Sequence, residues 1–469
     1  MTRSTAPGRT RPRPRPRPGP WRRAAAALLA LAVLPAAACT GTPPAGPPAG
    51  PAAPGPDAAD RTLTVATGSD LSGTGVRRRL ILDWAARNRV RVRIVRLSDD
   101  ADRQRSQLVA ALQSRTGRYD VVNLDVTWTA EFADGGLIQP LHGSGFADLL
   151  DHDTWPAAAG TARRGGRIWA VPWNTDVGLL YYRRDLLPPD RYPPPRSWDD
   201  LAAATARFAR SPERALPAGQ HVRAGLLTQL KEYEGLTVNT LEAVWRGGGR
   251  VVDDRGRVAV GSAAAQAGLD SLLYARRDGG GGLPLLGADS LRADESASLR
   301  RFLAGESLYL RNWPYAYGQL KDARDKPEDR SAAGRADYGV LRLPWASALG
   351  GQNLAVAAGS AHRALAEQLV ADLTGPQAER CLFAGGFAPA RPSALTGRCR
   401  PGDPEPDPAY TAALRDSLDR ARARPATPYY AAFTRDVQDT VAAVLRGTAP
   451  AAPAATVLAD RLRRSLSGH

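Results

Sequence analysis

At 469 residues the chain is too long for one ordinary hydrophobic core and fits about two to three domains. Its 43% hydrophobic and 23% charged residues are those of a folded soluble protein, which excludes a disordered or collagen-like chain. The formal charge of +16 is unevenly placed: eight arginines and no acidic residue precede Cys39, leaving 55 basic against 47 acidic residues beyond it. No basic face with interleaved aromatics occurs, so nucleic acid is excluded as a partner.

The N-terminus has the layout of an export signal, residues 1–38. A basic region (11–23) precedes the apolar run AAAALLALAVLPAAA (24–38), which is too short to favour a membrane-spanning helix. The small residues before Cys39 resemble a bacterial lipobox, in which the cysteine becomes the first mature residue and carries lipid. Simple signal-peptidase cleavage, with Cys39 incidental, is the alternative. Residues 39–60, rich in proline and glycine, read as an extended linker. The chain holds two other cysteines, Cys381 and Cys399. If Cys39 holds lipid, they are left as a pair free to form a disulfide outside the cytoplasm, two free thiols being the alternative.

Folded sequence begins near RTLTVATG (61–68), a β-branched run. GVRRRLILDWAARN (75–88) sets Leu80, Ile81 and Trp84 at helical spacing, and RVRVRIVRL (89–97) alternates as a half-buried strand does. A second helix is predicted over 102–117 and a third strand over 119–125. Strand, helix, strand, helix, strand at this spacing predicts a parallel α/β sheet. After residue 187 helical segments dominate, at 197–210 and 239–249. A turned strand pair is predicted over 250–260, a late strand over 338–345, a helix over 361–375, and a helical tail from about Pro408.

No G-x-S-x-G, H-E-x-x-H or Walker A motif is present, and the five histidines never stand at metal-ligand spacing. What does stand out is aromatic and polar residues at element ends. NLDVTW places Asp125 and Trp128 just past a strand, the edge at which ligands bind open α/β sheets. VPWNTD holds Trp173, Asn174 and Asp176; RNWPYAYG holds Trp313, Tyr315 and Tyr317; ALGGQN supplies paired glycines. Sugars offer an apolar face to aromatic rings and hydroxyls to amides and carboxylates, so this alternation suits a carbohydrate. Each residue has an ordinary alternative: a core position for the tryptophans, a helix N-cap for Asp125, a turn for Asn174.

Taken in order, YDVVNLDVTWTAEFADGGLIQPL (119–141), RIWAVPWNTDVGLLYYRRDLL (167–187), VWRGGGRVVDDRGRVAV (244–260), FLAGESLYLRNWPYAYGQL (302–320) and YGVLRLPWASALGGQNLAVAAGS (338–360) resemble the extracellular solute-binding proteins of ABC transporters, of the maltose and trehalose type. The resemblance covers nearly all of residues 61–469. It implies two α/β lobes, with 61–173 and 338–375 in lobe one and 174–337 and 376–469 in lobe two, crossing more than once and closing on a ligand between them. It implies ligand contacts at Asp70 and Gln104 in the early part of lobe one, Asp125 after the third strand and Asn174 near the first crossover. Trp313 and Tyr315 match an aromatic platform, Gly350 and Gly351 backbone contacts, and Arg424 a C-terminal arginine, for which Arg391 competes. It further implies a monomeric, lipid-anchored, extracytoplasmic binding protein without catalysis, cofactor or metal, delivering a di- or oligosaccharide to a membrane permease. Two other readings stay open: the same fold holding a polyamine, metal chelate or peptide, and a secreted carbohydrate-active enzyme.

Overall fold

The segment TLTVAT forms β1 (Thr62–Thr67), in which Leu63, Val65 and Ala66 are wholly buried. The structure, a computed structural model, describes residues 61–467 apart from Leu71, 212–215, 217–220, Asp254, 276–281 and 326–335. The expected export signal, the linker and Cys39 therefore lie outside the described residues. Helix Val76–Asn88 leads to β2 (Arg91–Arg96), and helix Ala101–Leu112 to β3 (Val121–Asp125). The second helix starts where the sequence offers a cap: the Asp100 carboxylate accepts from the Arg103 N–H at 3.2 Å. β2 and β3 flank β1 and both run parallel to it, as the strand–helix alternation predicts.

Nine further strands follow among the described residues. They are β4 (Ile138–Gln139), the small hairpin β5 (Arg163–Arg164) and β6 (Arg167–Ile168), β7 (Val171–Val177), β8 (Leu179–Arg183), β9 (Ala224–Leu227), β10 (Ser307–Asn312), β11 (Tyr338–Arg342) and β12 (Leu349–Ala357). The first sheet has the order β2-β1-β3-β12-β4, with β7 on the other half of β12, to which β3, β4 and β7 all run antiparallel. The second sheet has the order β11-β8-β10-β9. One hydrophobic cluster runs between them, joining Ala66, Val122 and Leu124 of the first sheet with Leu226 and Leu308 of the second. Leu63, Val65, Trp84 and Val121 bury one face of the first sheet, and Tyr181, Leu310, Phe302 and Tyr338 join one cluster beside the second.

The chain passes between the sheets at two adjoining places. Gly178 alone separates β7 from β8. The second pass, between β11 and β12, is hydrogen-bonded to the segment joining helices Pro408–Asp419 and Tyr430–Leu445: Arg422 N–H donates to Ser347 O at 2.9 Å, and Leu349 N–H to Arg422 O at 2.8 Å. The sheets divide the chain at other points than the sequence suggests. Asn174–Val177 continues the first sheet, because β7 stays paired with β12 up to Leu349↔Val177. Tyr338–Arg342, expected in lobe one, is paired with β8 in the second sheet. Helix Pro376–Ala384, expected in lobe two, buries Cys381 and Leu382 among the residues beneath the first sheet. No change of hydrophobic texture marks these switches, since strands of either sheet are equally apolar.

Cys381 and Cys399 are joined by a disulfide. The strand pair expected over 250–260 reduces to a single bridge, Val252↔Val258. Two backbone bonds flank it, Asp253 N–H to Arg257 O at 2.8 Å and Ala259 N–H to Val251 O at 2.9 Å, and the Asp253 carboxylate accepts from the N–H groups of Arg255 and Arg257 in the turn. Helices Pro408–Asp419, Tyr430–Leu445 and Ala454–Ser467 form the helical tail.

The first crossover is tight. A Cβ at Gly178 would stand 2.7 Å from Leu343 Cδ1 and 2.9 Å from both Arg311 Nη2 and Ser347 Oγ. Gly178→Ala is expected to destabilise the protein by about 1–3 kcal/mol, the usual penalty for overpacking. Urea unfolding measures it, and an unchanged midpoint would mean that the crossover has room.

Candidate functional site

The ends of β3, β7 and β12 on one side, and helix starts beside the second sheet on the other, enclose a cleft of about 1010 Å³ including its open mouth. Strand register places the groups on its floor. On β12, Gln352 stands opposite Asp125 of β3 and Asn174 of β7, while Gly350 stands opposite Asp176. Gly350 and Gly351 thus leave bare backbone between two carboxylates. Gly351 has φ +113°, a conformation that a side chain would strain, and a Cβ on Gly350 would press to 3.1 Å from Asp176 Cβ and 3.4 Å from the Trp313 ring.

Of the sequence-predicted residues, Gln104, Asp125, Trp313, Tyr315, Gly350, Gly351 and Arg424 line this cleft. Asp125 is not a helix cap; Trp128 holds that position for the following helix. Its Oδ1 accepts from Thr127 N–H at 2.9 Å and Thr127 Oγ1 at 2.8 Å, in an Asx turn, and from Arg424 Nη2 at 2.9 Å. Two expected residues do not line the cleft. Asn174 is wholly buried, because Arg77 and Gln352 cover it: Arg77 Nη2 donates to both the Asn174 and Gln352 side-chain oxygens. Asp70 turns back on its own loop, its Oδ1 accepting from Ser72 N–H at 3.1 Å, while Gly68 and Ser69 of that loop line the cleft instead. Arg391, the competitor to Arg424, pairs with Asp153 at 2.7 Å and is not among the lining residues. Trp173 is core, with no exposure.

Asp176, singled out in VPWNTD, lines the cleft as well, whereas sequence reasoning passed over Arg77, Tyr233, Glu234, Glu295, Gln352 and Phe387, all of which line it too. Arg77 was findable: it lies four residues before Ile81 and seven before Trp84, on the buried face of its helix, whereas Arg78 and Arg79 point outward. Its guanidinium lies between the Trp173 ring, 4.7 Å away, and the Phe387 ring, 4.1 Å away. Burial lowers Arg77 to about 10, against the opposing pull of Asp176, Asp70 and Glu379, so it remains a cation at neutral pH.

On the second-sheet side, the Trp313 ring rests on the guanidinium of Arg311, 3.9 Å below its centroid. Tyr315 opens the next helix, Tyr315–Arg324, after Pro314. Arg424 ties the two sides together: Nη2 reaches Asp125 and Nη1 donates to Glu234 Oε1 at 2.6 Å, at the start of helix Glu234–Arg246. Glu234 is further held by Tyr430 Oη at 2.6 Å and Thr434 Oγ1 at 2.7 Å. Burial pushes the Glu234 carboxyl above its ordinary range, with Arg424 pulling the other way. Among the described residues no cluster of histidine, cysteine, aspartate and glutamate could hold a metal ion.

Asp176 is raised to about 7, first by burial and then by the neighbouring Asp125, against the pull of Arg77, Asn174 and Arg424. An acid whose folded-state value exceeds its unfolded one binds more protons folded than unfolded between the two. Its contribution to stability is therefore lost as pH rises from about 4 to about 7. Asp176→Asn removes that loss, so the variant's Tm relative to the parent is expected to rise between pH 5 and pH 8. A pH-independent Tm difference would refute the assignment.

The family model of bacterial extracellular solute-binding proteins matches residues 78–380. A probable ABC transporter-binding protein of Deinococcus radiodurans is 32% identical over 305 residues, covering 63% of this chain and 68% of its own length. A probable amino-acid ABC transporter periplasmic-binding protein of Sinorhizobium fredii is 26% identical over 326 residues, 67% of this chain and 69% of that protein. Among solved structures, maltose-bound MalE3 of T. maritima is similar with a TM-score of 0.71 at 25% identity, covering 86% of this chain and 99% of that one. The GacH receptor of Streptomyces glaucescens, solved unliganded and with acarbose, has a TM-score of 0.71 at 23% identity, covering 87% and 99%, a likeness of fold alone.

Proposed function

We propose, from the premise that this chain belongs to the bacterial extracellular solute-binding proteins and serves an ABC transporter, that its cleft captures a sugar, a di- or oligosaccharide, for delivery to the membrane permease. Members of this family bind a solute rather than transform it. The observation that carries the sugar reading is the pairing across one cleft of an aromatic platform, Trp313 and Tyr315, with the acceptors Asp125, Asp176 and Gln352. A pyranose stacked on the ring would direct its hydroxyls at those oxygens. In this reading Asp125, Gln104, Gly350 and Gly351 contact the ligand from the first sheet. Arg424 holds Asp125 toward it, and Asn174 supports the floor from below.

Contact from both sheets is what binding must supply, since a ligand shifts an open–closed equilibrium only through its differential affinity for the two states. Among the described residues no helix is long and apolar enough to cross a membrane. Lipid at Cys39, with residues 39–60 as the tether, would keep a monomeric binding protein at the outer face of the cell membrane beside its permease.

A non-sugar solute is favoured by one feature: five carboxylates and two guanidiniums line the cleft, and both guanidiniums are engaged by the protein itself. Spermidine therefore belongs in the test. Thermal unfolding against mono-, di- and oligosaccharides, spermidine and peptides is expected to give stabilisation with one sugar class, about 2.7 kcal/mol at a hundredfold excess over Kd. Shifts with spermidine or peptides alone would overturn the sugar reading. Trp313→Ala is expected to weaken sugar binding by about 1–3 kcal/mol in titration calorimetry. Unaltered affinity would remove Trp313 from the platform.

A further inference from the structure

Among the described residues β2 pairs only with β1, so it is a free edge of the first sheet, and it carries arginine. Arg91 and Arg93 are exposed and share one face by alternation, while Val92 and Ile94 pack against the cluster that holds Trp84. Three more exposed arginines gather at the same end of the sheet. Arg61 directly precedes β1, and its carbonyl accepts from Arg91 N–H at 2.9 Å. Arg89 caps the end of helix Val76–Asn88, just before β2. Arg118 leads into β3, where Asp120 N–H donates to Thr64 O at 2.8 Å.

None of these five arginines is ion-paired among the described residues. The carboxylates at hand are engaged elsewhere: Asp120 is buried and accepts from Thr64 N–H and Ser360 Oγ, and Asp372 pairs with Arg87. On helix Val76–Asn88 one exposed acid, Asp83, remains. Charges on an edge strand ordinarily keep a second sheet from pairing there. Arg91 and Arg93 suffice for that role, and Arg61, Arg89 and Arg118 lie off the strand.

The linker, residues 39–60, enters the fold at Arg61, inside this basic patch. Drawn out at about 3.1 Å per residue it spans roughly 70 Å, so a chain tethered at Cys39 keeps the patch within reach of the membrane and at high effective concentration. A cationic patch held there is complementary to a surface rich in anionic phospholipid, which attracts each arginine that comes within about one Debye length.

Resting on the tethered, extracytoplasmic reading but not on the identity of the solute, we propose that this edge docks on an anionic phospholipid surface. The strands run parallel from the patch toward the cleft. Gly68 and Ser69 beyond β1, Ser98 and Asp99 beyond β2, and Asp125 at the end of β3 all line it, about 20 Å away along six-residue strands. Docked by this edge, the protein turns its cleft away from the bilayer, in the pose that meets solute. It then swings on its linker to present the cleft to a permease.

Residues 58–469 form a compact unit of their own, so the test uses residues 40–469, without lipid and without the basic residues before Cys39. No solute is added. Vesicles of phosphatidylcholine with roughly a third phosphatidylglycerol are expected to retain the protein about tenfold or more above phosphatidylcholine alone. Retention is expected to vanish near 1 M salt, where the Debye length is about 3 Å. Arg89→Glu, Arg91→Glu and Arg93→Glu together are expected to cut retention about tenfold or more. Arg415→Glu, Arg435→Glu and Arg464→Glu, at exposed positions of the helical tail, change the net charge equally and are expected to cost far less. Should the strand variant fail to fold, Arg61→Glu with Arg118→Glu, both outside the strands, decides the matter. Equal losses from the two triple variants would make retention a matter of net charge and overturn the proposal. Equal binding to both vesicle types, or none to either, overturns it too. So does retention on polyphosphate without vesicle binding, which would give the edge to a soluble polyanion. Each of these outcomes leaves the sugar reading standing, and failure of the sugar reading leaves the docking edge standing.

Discussion

Arg311 and Glu242 are almost wholly removed from water, and the contacts they make join Trp313 to the passages between the two sheets. Arg311 Nη2 donates to Glu242 Oε1 at 2.6 Å and its Nη1 to Gln229 Oε1 at 3.4 Å. Glu242 Oε1 also accepts from Ala348 N–H at 3.1 Å and Ser347 Oγ at 3.3 Å, and Ser347 Oγ in turn accepts from Gly178 N–H at 2.6 Å. Both passages thus end on one carboxylate, and the guanidinium paired with it carries Trp313 on its face. A buried ion pair gains little net stability, because desolvation offsets the attraction, but removing one partner strands the other charge. What such a pair fixes is position. Here it fixes β10, helix Glu234–Arg246 and both crossovers relative to one another.

A second charged bridge lies on the opposite side of the cleft floor. Arg424 spends its donors on Asp125, Glu234 and Leu349 O, so one guanidinium spans a strand end of the first sheet, a helix start beside the second, and the crossover between them. Arg77 donates to Asn174 and Gln352, and the lining holds five carboxylates against two guanidiniums, a surplus of negative charge that disfavours an anionic group. The free acceptors belong to Asp125, Asp176 and Glu295. The chemistry left for a ligand is donation, which hydroxyl groups supply and phosphate or carboxylate groups do not.

Much of this was legible in the sequence. The strand–helix alternation of residues 61–125 is strongly periodic, and the strand-end residues Asp125 and Trp313 follow directly from where the strands stop. The switch between sheets was not, because β7 and β8 form one apolar run interrupted only by Gly178, and both halves are buried. The site residues that escaped notice did so for a common reason. Glu234 and Glu295 are acids at helix starts, where a solvated first-turn carboxylate is the ordinary expectation. Only the fold brings Arg424, nearly two hundred residues distant, against the first, and Trp313 against the second. Arg77 differs, since its helical phase alone places it inward. Asn174 shows the converse error: its register is right for the cleft, but a side chain 97 residues earlier in sequence, that of Arg77, lies over it.

The glycines at the floor and at the first crossover serve different ends, and the difference bears on how such a cleft can work. Gly350 and Gly351 remove side chains at the floor of the cleft, where an added Cβ would meet Asp176 and Trp313 at the first and the backbone of Asn174 and Thr175 at the second. Gly178 removes a side chain where Leu343, Arg311 and Ser347 crowd against the chain. The crossover is therefore short and packed rather than long and loose. A motion of one sheet relative to the other must be absorbed by a few backbone torsions beside the Arg311–Glu242 pair, the pattern of a hinge. Because Trp313 rests on Arg311, a ligand stacked on that ring bears on the same pair that holds the crossovers. Contact with Asp125 and Gln352 across the floor then gives the closed arrangement interactions that an open one lacks, which is the condition for binding to move the equilibrium.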